Sequence, residues 1–366
     1  MGSGHALIDS LRYTIAPPGR LPLHSIRFSL VDVPDLRLLP ELWPSLRSVW
    51  IGAGPVPDIW HRALNALAWL VRLKLLPSLA PFALLMYRTI KLLSFGEHRG
   101  GMFISIDCVG THGERIERSW HLVADGDDGP LIPSMAAAAI IRRCLDGRLP
   151  AVGARPAATE LELGDYAALF ASRRINTGRR QVQPDDLRAP LYRRLLGDVW
   201  YRLPQPLRAM HDLDSELSAD GIAVVERGSR LMARLAATII GFPRAGENVP
   251  VSVSFRARDG REYWKRTFAG RSFSSIQEQG RGRCEWLLCE KFGPLNFGMA
   301  LVCEADRMRL VVRRWSCFGI PMPAALAPQS NSYEFAQDGR FCFHVEISHP
   351  ITGLIVGYRG WLVPRT

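Results

Sequence analysis

The stretch Val251-Ser-Val-Ser-Phe-Arg-Ala-Arg258 leads through Asp259-Gly260 into Glu262-Tyr-Trp-Lys-Arg-Thr-Phe268. Apolar and polar residues alternate in both runs, and a period of two is typical of β-strands with one buried face. An Asp-Gly dipeptide between two such runs is typical of a tight hairpin turn, because both turn positions need a positive φ angle. The stretch therefore predicts two antiparallel strands joined by a two-residue turn.

The same pattern continues to the end of the chain. Residues 249–363 contain about nine alternating runs, separated by short segments rich in glycine and other turn residues. Many strands with short connections predict an antiparallel meander, which must curl so that its edge strands are protected. An amphipathic helix pattern over 191–203 and a strand pattern that begins at Ile222 precede it. The predicted C-terminal fold is a barrel or half-barrel with an N-terminal helix.

The first half of the chain mixes helix and strand patterns and predicts an α/β domain with a mixed sheet, so the whole chain is assigned to the α+β class. A polar, arginine-rich segment bracketed by prolines separates the two parts. The predicted organisation is an N-terminal tail (1–21), a first domain (22–172), a linker (173–190) and the C-terminal β domain (191–364). At 366 residues the chain is long enough for two hydrophobic cores.

The chain is basic, with a net charge of +11 that arginine supplies almost alone. Lysine occurs only at Lys74, Lys91, Lys265 and Lys291. Nucleic-acid-binding domains usually concentrate their positive charge in one stripe or patch, whereas these basic residues are spread along the chain. We therefore expect no nucleic-acid partner.

The seven cysteines are an odd number scattered over a long chain, which does not indicate a disulfide framework. On a single strand, the spacing of Cys284 and Cys289 would place the two thiols on opposite faces. Cys342 and His344 share a strand face, but two ligands are too few for a zinc site. We expect reduced cysteines, a cytoplasmic protein and no metal.

The most hydrophobic segment is 64–95, and four basic residues and two prolines interrupt it. It therefore contains no run of about 20 uncharged residues that would span a bilayer. The N-terminus has no signal-peptide pattern. Two interpretations stay open for residues 64–95, namely peripheral contact with a membrane surface and a pair of helices that cover a sheet.

Short motifs predict neither a catalytic centre nor a cofactor site. Gly52-Ala-Gly54 follows a strand pattern, but Pro57 stands where a dinucleotide-binding fingerprint has its third glycine. His211 and Asp212 are adjacent, and neighbouring residues do not meet across one helix face. We expect no cofactor in this chain.

Four motifs occur together in the first domain, namely Val31–Asp35, Trp120–Leu122, Gly129–Ser134 and Leu145–Gly153. In this combination, residues 22–171 resemble the substrate-domain portion of saccharopine dehydrogenase-like proteins. In that family a Rossmann domain precedes this portion and binds the nicotinamide cofactor, and this chain contains no Gly-x-Gly-x-x-Gly. The resemblance implies an oxidoreductase portion without its cofactor domain, and no catalytic residue is carried over.

Further motifs occur in order along the C-terminal domain. They are Leu191–Gly197, Phe268–Gly270, Glu290–Leu295, Gly319–Pro323, Gly339–Phe341 and Gly357–Trp361. With them, residues 191–364 resemble a family of uncharacterised domains found at the C-terminus of saccharopine dehydrogenase-like proteins. That family brings no established activity with it.

Candidate ligand-binding residues are basic, aromatic and acid–base side chains on the predicted C-terminal strands. They are Arg266, Arg314, Trp315, His344, Glu346 and Trp361. An inward arginine would bind a carboxylate or phosphate, and aromatic rings would line an apolar pocket. His344 and Glu346 share a strand face and would form an acid/base pair or a polar cavity floor. The alternatives are solvated outward positions for the polar residues and core packing for the tryptophans.

The predicted function is non-catalytic binding of a small, largely apolar ligand, such as a lipid or an acyl group, by the C-terminal domain. The alternative is a partner half, or a truncated remnant, of a nicotinamide-dependent oxidoreductase whose Rossmann domain is a separate protein. No catalytic residue is assigned in either case.

Overall fold

The structure is a computed structural model that describes residues 11–56, 58–92, 98–182 and 189–365. Pro57, and parts of the predicted tail, of the predicted linker and of the hydrophobic segment 64–95, lie outside the described residues. Within the described ranges, no helix is long and apolar enough to cross a bilayer.

The chain divides into two compact units that do not follow a single cut. The first consists of 23–102 and 123–176 together with the chain up to Ile15. The second consists of 16–22, 103–122 and 177–366.

The elements before residue 183 are short helices and small sheets. They are β1 (Leu11–Ile15), β2 (Leu23–Leu30), α1 (Asp35–Leu42), β3 (Gly52–Ala53), α2 (Asp58–Arg72), α3 (Ala83–Leu92), β4 (Arg99–Val109), β5 (Arg115–Asp125), α4 (Ile132–Leu145), α5 (Leu163–Ala171) and β6 (Ile175–Val182). The strands form two three-stranded sheets, in the orders β1-β2-β3 and β4-β5-β6. Helix α5 begins at a capping box, in which the Asp165 carboxylate accepts a hydrogen bond from the backbone N–H of Glu162 at 2.8 Å.

Strands dominate the chain after residue 189. The elements are α6 (Leu191–Leu196), α7 (Gln205–His211), β7 (Glu216–Arg227), α8 (Leu231–Ile240), β8 (Gly246–Arg258), β9 (Arg261–Phe268), β10 (Arg271–Gln279), β11 (Leu288–Phe292), β12 (Leu295–Cys303), β13 (Arg307–Cys317), β14 (Ile320–Pro321), β15 (Gln329–Gln337), β16 (Arg340–His349) and β17 (Gly353–Pro364). The helix predicted over 191–203 is shorter than expected. Gly197 has a φ of 51°, which ends α6, and a 3-10 turn continues over Gly197–Arg202.

Ten of the C-terminal strands close into an antiparallel barrel. The strand order is β12-β11-β10-β9-β8-β7-β17-β16-β15-β13, and β13 pairs back with β12. Closure leaves none of the ten with an unpaired edge, and only the two-residue strand β14 is added outside, on β13. The predicted α+β class and the curled antiparallel C-terminal sheet are confirmed.

Tight turns set the register of neighbouring strands. Asp259 and Gly260 have φ angles of 54° and 73°, and Asp338 and Gly339 have φ angles of 51° and 72°. Positive φ at both central positions matches the right-handed twist of the flanking strands. The hairpin predicted from Asp259-Gly260 is therefore present, with Phe255 directly opposite Trp264.

Because all neighbours are antiparallel, the connections alternate between two ends of the barrel. We call the first the floor end, with the connections 259–260, 280–287, 304–306 and 338–339. We call the second the rim end, with the connections 228–245, 269–270, 293–294, 318–328 and 350–352. Helix α6 lies at the floor end, where an Arg194 guanidinium N–H donates to the carbonyl of Gly260 at 3.1 Å. Helix α8 lies at the rim end.

Candidate ligand cavity of the barrel

The barrel encloses a cavity of about 170 Å³. Toward the rim end its wall is mostly aliphatic and aromatic and includes Phe242, Val251, Phe292, Leu295, Phe297, Val345, Ile347 and Ile355. A cavity needs a volume of about 10–15 Å³ to hold one water molecule, so this cavity has room for a molecule of roughly ten non-hydrogen atoms. Most polar side chains that reach the cavity come from the middle of the barrel and from its floor end, whereas Ser330 of β15 lies near the rim end.

One polar cluster connects three adjacent strands. The Arg266 guanidinium on β9 donates to the Ser275 hydroxyl at 2.9 Å and to the Glu290 carboxylate at 3.1 Å, and Ser275 donates to the same carboxylate at 2.6 Å. The guanidinium also stacks on the Trp264 ring at 4.7 Å. Burial lowers the pKa of Arg266, but Glu290 and then Tyr358 raise it, and the net shift is upward. The buried guanidinium of Arg266 therefore keeps its positive charge, which the Glu290 carboxylate balances.

A second polar cluster joins helix α7 to the barrel. His211 is fully buried, and its Nε2 lies 2.6 Å from Oε2 of Glu334 on β15. Its ring stacks on the Tyr192 ring with a centroid distance of 3.8 Å. Within the described part of the chain, Nδ1 of His211 has no hydrogen-bond partner. A carboxylate that accepts a hydrogen bond from one imidazole nitrogen leaves the other nitrogen available to accept a hydrogen bond.

Two polar groups of the cavity wall keep a free hydrogen-bonding site. The Tyr192 hydroxyl donates to Oε1 of Gln277 at 3.0 Å, whereas the Gln277 NH2 group bonds to no described residue. The Tyr358 hydroxyl likewise has no hydrogen bond to any residue described. Burial raises the pKa of Tyr358 to about 12 against the opposing charge of Arg266, so the hydroxyl keeps its proton at neutral pH. Both groups are available to a ligand.

Beneath α6, burial raises the pKa of Glu262 although the indole N–H of Trp264 donates to its carboxylate at 3.0 Å. Burial, followed by the charge of Glu334, holds the pKa of Tyr192 well above its usual value. The floor end is thus a low-dielectric environment in which a further unpaired charge is unfavourable.

The structure brings two of the six predicted site residues to the cavity, namely Arg266 and His344. His344 stacks on the Tyr333 ring at 4.8 Å, and its Nε2 lies 4.0 Å from the half-exposed Glu346 carboxylate. These two residues are therefore neighbours on one strand face, as the alternation predicted.

The other predicted residues, Arg314, Trp315, Glu346 and Trp361, are not among the described residues that line the cavity. Trp315 stacks on Phe297 at 6.4 Å, and its indole N–H donates to the carbonyl of Pro323 at 2.9 Å. Trp361 lies under the guanidinium of Arg340 at 4.5 Å. Their assignment as ligand-binding residues stays a prediction.

Sequence reasoning missed the polar residues that meet in the cavity, namely Tyr192, His211, Gln277, Glu290 and Glu334. A usable signal exists for the strand residues. Glu290 alternates with Leu288 and Phe292, so a period of two places its carboxylate on the apolar, inward face of β11. No local pattern predicts the pairing of His211 with Glu334, because 123 positions separate them.

The expectation that Cys284 and Cys289 face opposite sides of one strand is wrong. Cys284 ends a 3-10 turn (Gly282–Cys284) and Cys289 lies on β11, so the chain folds back between them. A hydrogen bond from the Cys289 thiol lowers the pKa of Cys284 to about 6 against burial, and Arg314 and Arg283 add to the lowering. Across the described residues, no group of three or more His, Cys, Asp or Glu side chains is arranged to hold a metal ion.

Comparisons with known proteins add little to this description. No curated protein matches the chain. One similar solved structure is a protein from Thermobifida fusca YX named a "putative thioesterase II", with 9% identity over 43% of this chain and 82% of that one. Its TM-score of 0.14 is too low to indicate a shared fold.

The resemblance of residues 22–171 to saccharopine dehydrogenase-like proteins and the cytoplasmic location stay predictions. Residues 203–362, which include nine barrel strands and β17 as far as Leu362, match the family described as a domain of unknown function (DUF4166), so the predicted similarity to an uncharacterised domain is confirmed for this part of the chain.

Proposed function

We propose that the C-terminal barrel binds a small, largely apolar ligand without catalysing a reaction. The observation that carries this proposal is the cavity of about 170 Å³ with its aliphatic and aromatic wall toward the rim end. Transfer of apolar surface from water into such a space contributes about 25 cal/mol per Å². A largely apolar cavity with a few convergent polar groups is the usual form of a small-molecule site.

The charges around the cavity favour an uncharged ligand over a free carboxylate or phosphate. Arg266 is paired with Glu290, and His211 is paired with Glu334. Among the described residues that line the cavity, an anionic ligand would meet the buried carboxylates of Glu290 and Glu334, and the one arginine, Arg266, already pairs with Glu290. Burial of a further unpaired charge is costly. Neutral donors and acceptors are available instead at Tyr358 and Gln277, so the ligand carries a hydroxyl, carbonyl or ester group at its polar end.

Native mass spectrometry of the purified whole chain tests occupancy. We expect a bound small molecule that extraction under denaturing conditions releases and identifies. The Val345→Phe variant adds bulk to the cavity wall and should lower occupancy about tenfold, since overpacking costs about 1–3 kcal/mol. The matched variant Val363→Phe adds the same bulk at an exposed position of β17 and should keep the ligand.

A pair of added ligands tests the polar end. A fatty alcohol should bind more tightly than the fatty acid of equal chain length at neutral pH. Tighter binding of the acid would contradict an uncharged ligand. Protein that carries nothing and takes up neither compound would contradict the binding function itself.

A further inference from the structure

The rim end carries the most exposed large apolar side chains among the described residues of 177–365. Phe318 is 82% exposed, Leu231 79%, Ile239 75% and Ile351 71%, and Ile320 and Met232 follow. All six lie in rim-end connections. In α8, Leu231, Leu235 and Ile239 are four residues apart and form one exposed stripe, while Ala233 and Ala237 of the opposite side are buried.

Contacts between the connections hold these side chains on one end of the barrel. An Arg230 guanidinium N–H donates to the carbonyl of Ile351 at 2.9 Å, which ties α8 to the connection between β16 and β17. The backbone N–H of Phe318 donates to the carbonyl of Pro294 at 2.9 Å. The exposed apolar tips therefore belong to neighbouring loops around the apolar half of the cavity.

The charge of the rim end is of one sign. Its connections contain Arg230, Arg234 and Arg244 and no aspartate or glutamate, whereas those of the floor end contain five acidic residues: Asp259, Glu285, Glu304, Asp306 and Asp338. The guanidinium groups of Arg271 and Arg234 are close enough to Arg227 to add to the effect of burial in lowering its pKa. The exposed carboxylate of Glu247 lies just outside these connections, at the start of β8. An apolar surface whose connections carry arginine and no carboxylate complements an anionic lipid headgroup layer.

We propose that the rim end docks on the surface of a lipid bilayer that contains anionic lipids, and that the cavity exchanges its ligand there. This docking extends the proposed binding function and rests on it, because the ligand exchanged at the membrane is the one bound in the cavity. A bilayer fits this surface because several separate loops present isolated aliphatic and aromatic side chains among arginines, an arrangement that inserts into a headgroup layer.

Vesicle flotation of the whole chain tests the docking surface, with vesicles of phosphatidylcholine alone and of phosphatidylcholine with phosphatidylserine. We expect binding that increases with phosphatidylserine. The Leu231→Ser/Ile239→Ser variant should lower the partition coefficient at least tenfold, because the insertion of one aliphatic side chain contributes about tenfold. The Arg234→Gln/Arg244→Gln variant should lose on the order of tenfold only with phosphatidylserine present.

The matched control is Leu84→Ser/Leu85→Ser on α3, whose side chains are similarly exposed and lie in the hydrophobic segment 64–95. This variant should bind vesicles as the unchanged protein does. Loss with this variant and retention with the rim variant would overturn the proposal in favour of peripheral contact through 64–95. Absence of vesicle binding, or rim-dependent capture of a protein instead, would also overturn it.

Two further readouts separate this proposal from the binding function. Val345→Phe, which obstructs the cavity, should still bind vesicles. Leu231→Ser/Ile239→Ser should still take up ligand from solution. If the native protein holds a ligand and ignores vesicles, the docking surface alone is wrong, and if it binds vesicles and never holds a ligand, the binding function is wrong.

Discussion

His121 on β5 is a buried imidazole that stays neutral in the folded protein. It is 3% exposed, its Nδ1 accepts a hydrogen bond from the backbone N–H of Ala16 at 3.3 Å, and its Nε2 lies 2.8 Å from the Ser119 hydroxyl. Burial, followed by the charge of Arg180, lowers the pKa of His121 to about 3. In the unfolded chain the same imidazole titrates near about 6.5.

Because the folded pKa of His121 is the lower one, the unfolded state binds a proton between these two values that the folded state does not. The free energy of unfolding should therefore fall by about 1.4 kcal/mol per pH unit as the pH decreases below about 6.5. Urea unfolding between neutral and mildly acidic pH measures this slope. The His121→Asn variant should show a smaller change in the free energy of unfolding with pH. The His112→Asn variant, on the exposed turn of the same hairpin, should show the same change as the unaltered protein.

Cys284 is the second residue whose environment predicts a measurable property. The hydrogen bond from Cys289 lowers the pKa of Cys284 to about 6 against burial, and Arg314 and Arg283 support it. The thiolate is the nucleophile, so alkylation by iodoacetamide, followed by peptide mass spectrometry, should be half-maximal for Cys284 near about pH 6. Cys289→Ala removes the donor and should move that midpoint toward about 8.5. An unchanged midpoint would show that the thiol pair does not tune Cys284.

At the scale of the element, the pairing of β7 with β17 depends on glycine. A Cβ atom at Gly360 would lie 2.2 Å from the carbonyl oxygen of Ile222 and 2.8 Å from the Cα of Ala223. Gly360→Ala should therefore separate the two strands and lower the free energy of unfolding by about 1–3 kcal/mol. A Cβ at Gly357, on the same strand, meets its nearest atom at 3.9 Å. Gly357→Ala is thus the control in urea unfolding, and equal losses for both variants would contradict the steric explanation.

At the scale of the whole molecule, closure of the barrel gives the cavity two different ends. Inward positions in the middle of the barrel and toward its floor end hold the hydrogen-bonded pairs of Arg266 with Glu290 and of His211 with Glu334. Inward positions near the rim end are mostly aliphatic and aromatic, and Ser330 of β15 is a polar exception. For the proposed ligand with one neutral polar group, we therefore expect that group to lie toward Gln277 and Tyr358 and the apolar part to lie toward the rim end.

Most of the local structure of the C-terminal unit could be predicted from the sequence. A period of two indicated the strands, and Asp259-Gly260 indicated a turn, because both signals arise from backbone geometry within a few residues. Side chains alternate between the two faces of a strand, so Arg266 and Glu290 can be assigned to inward faces once one inward residue of each strand is known. The helix predicted over 191–203 ended early at Gly197, since its positive φ is a tertiary requirement that amphipathic spacing does not reveal.

The contacts between polar groups in the cavity depend on the folded arrangement of the whole barrel. His211 reaches Glu334 because α7 covers the floor end and β15 passes beneath it, and that contact depends on barrel closure and not on spacing in the chain. Cys284 meets Cys289 because a turn with Trp286 at a φ of 61° reverses the chain between them. Strand patterns specify neighbours along the chain, whereas a site in a closed barrel is assembled across its axis, where loop closure and packing of the whole unit decide the distances.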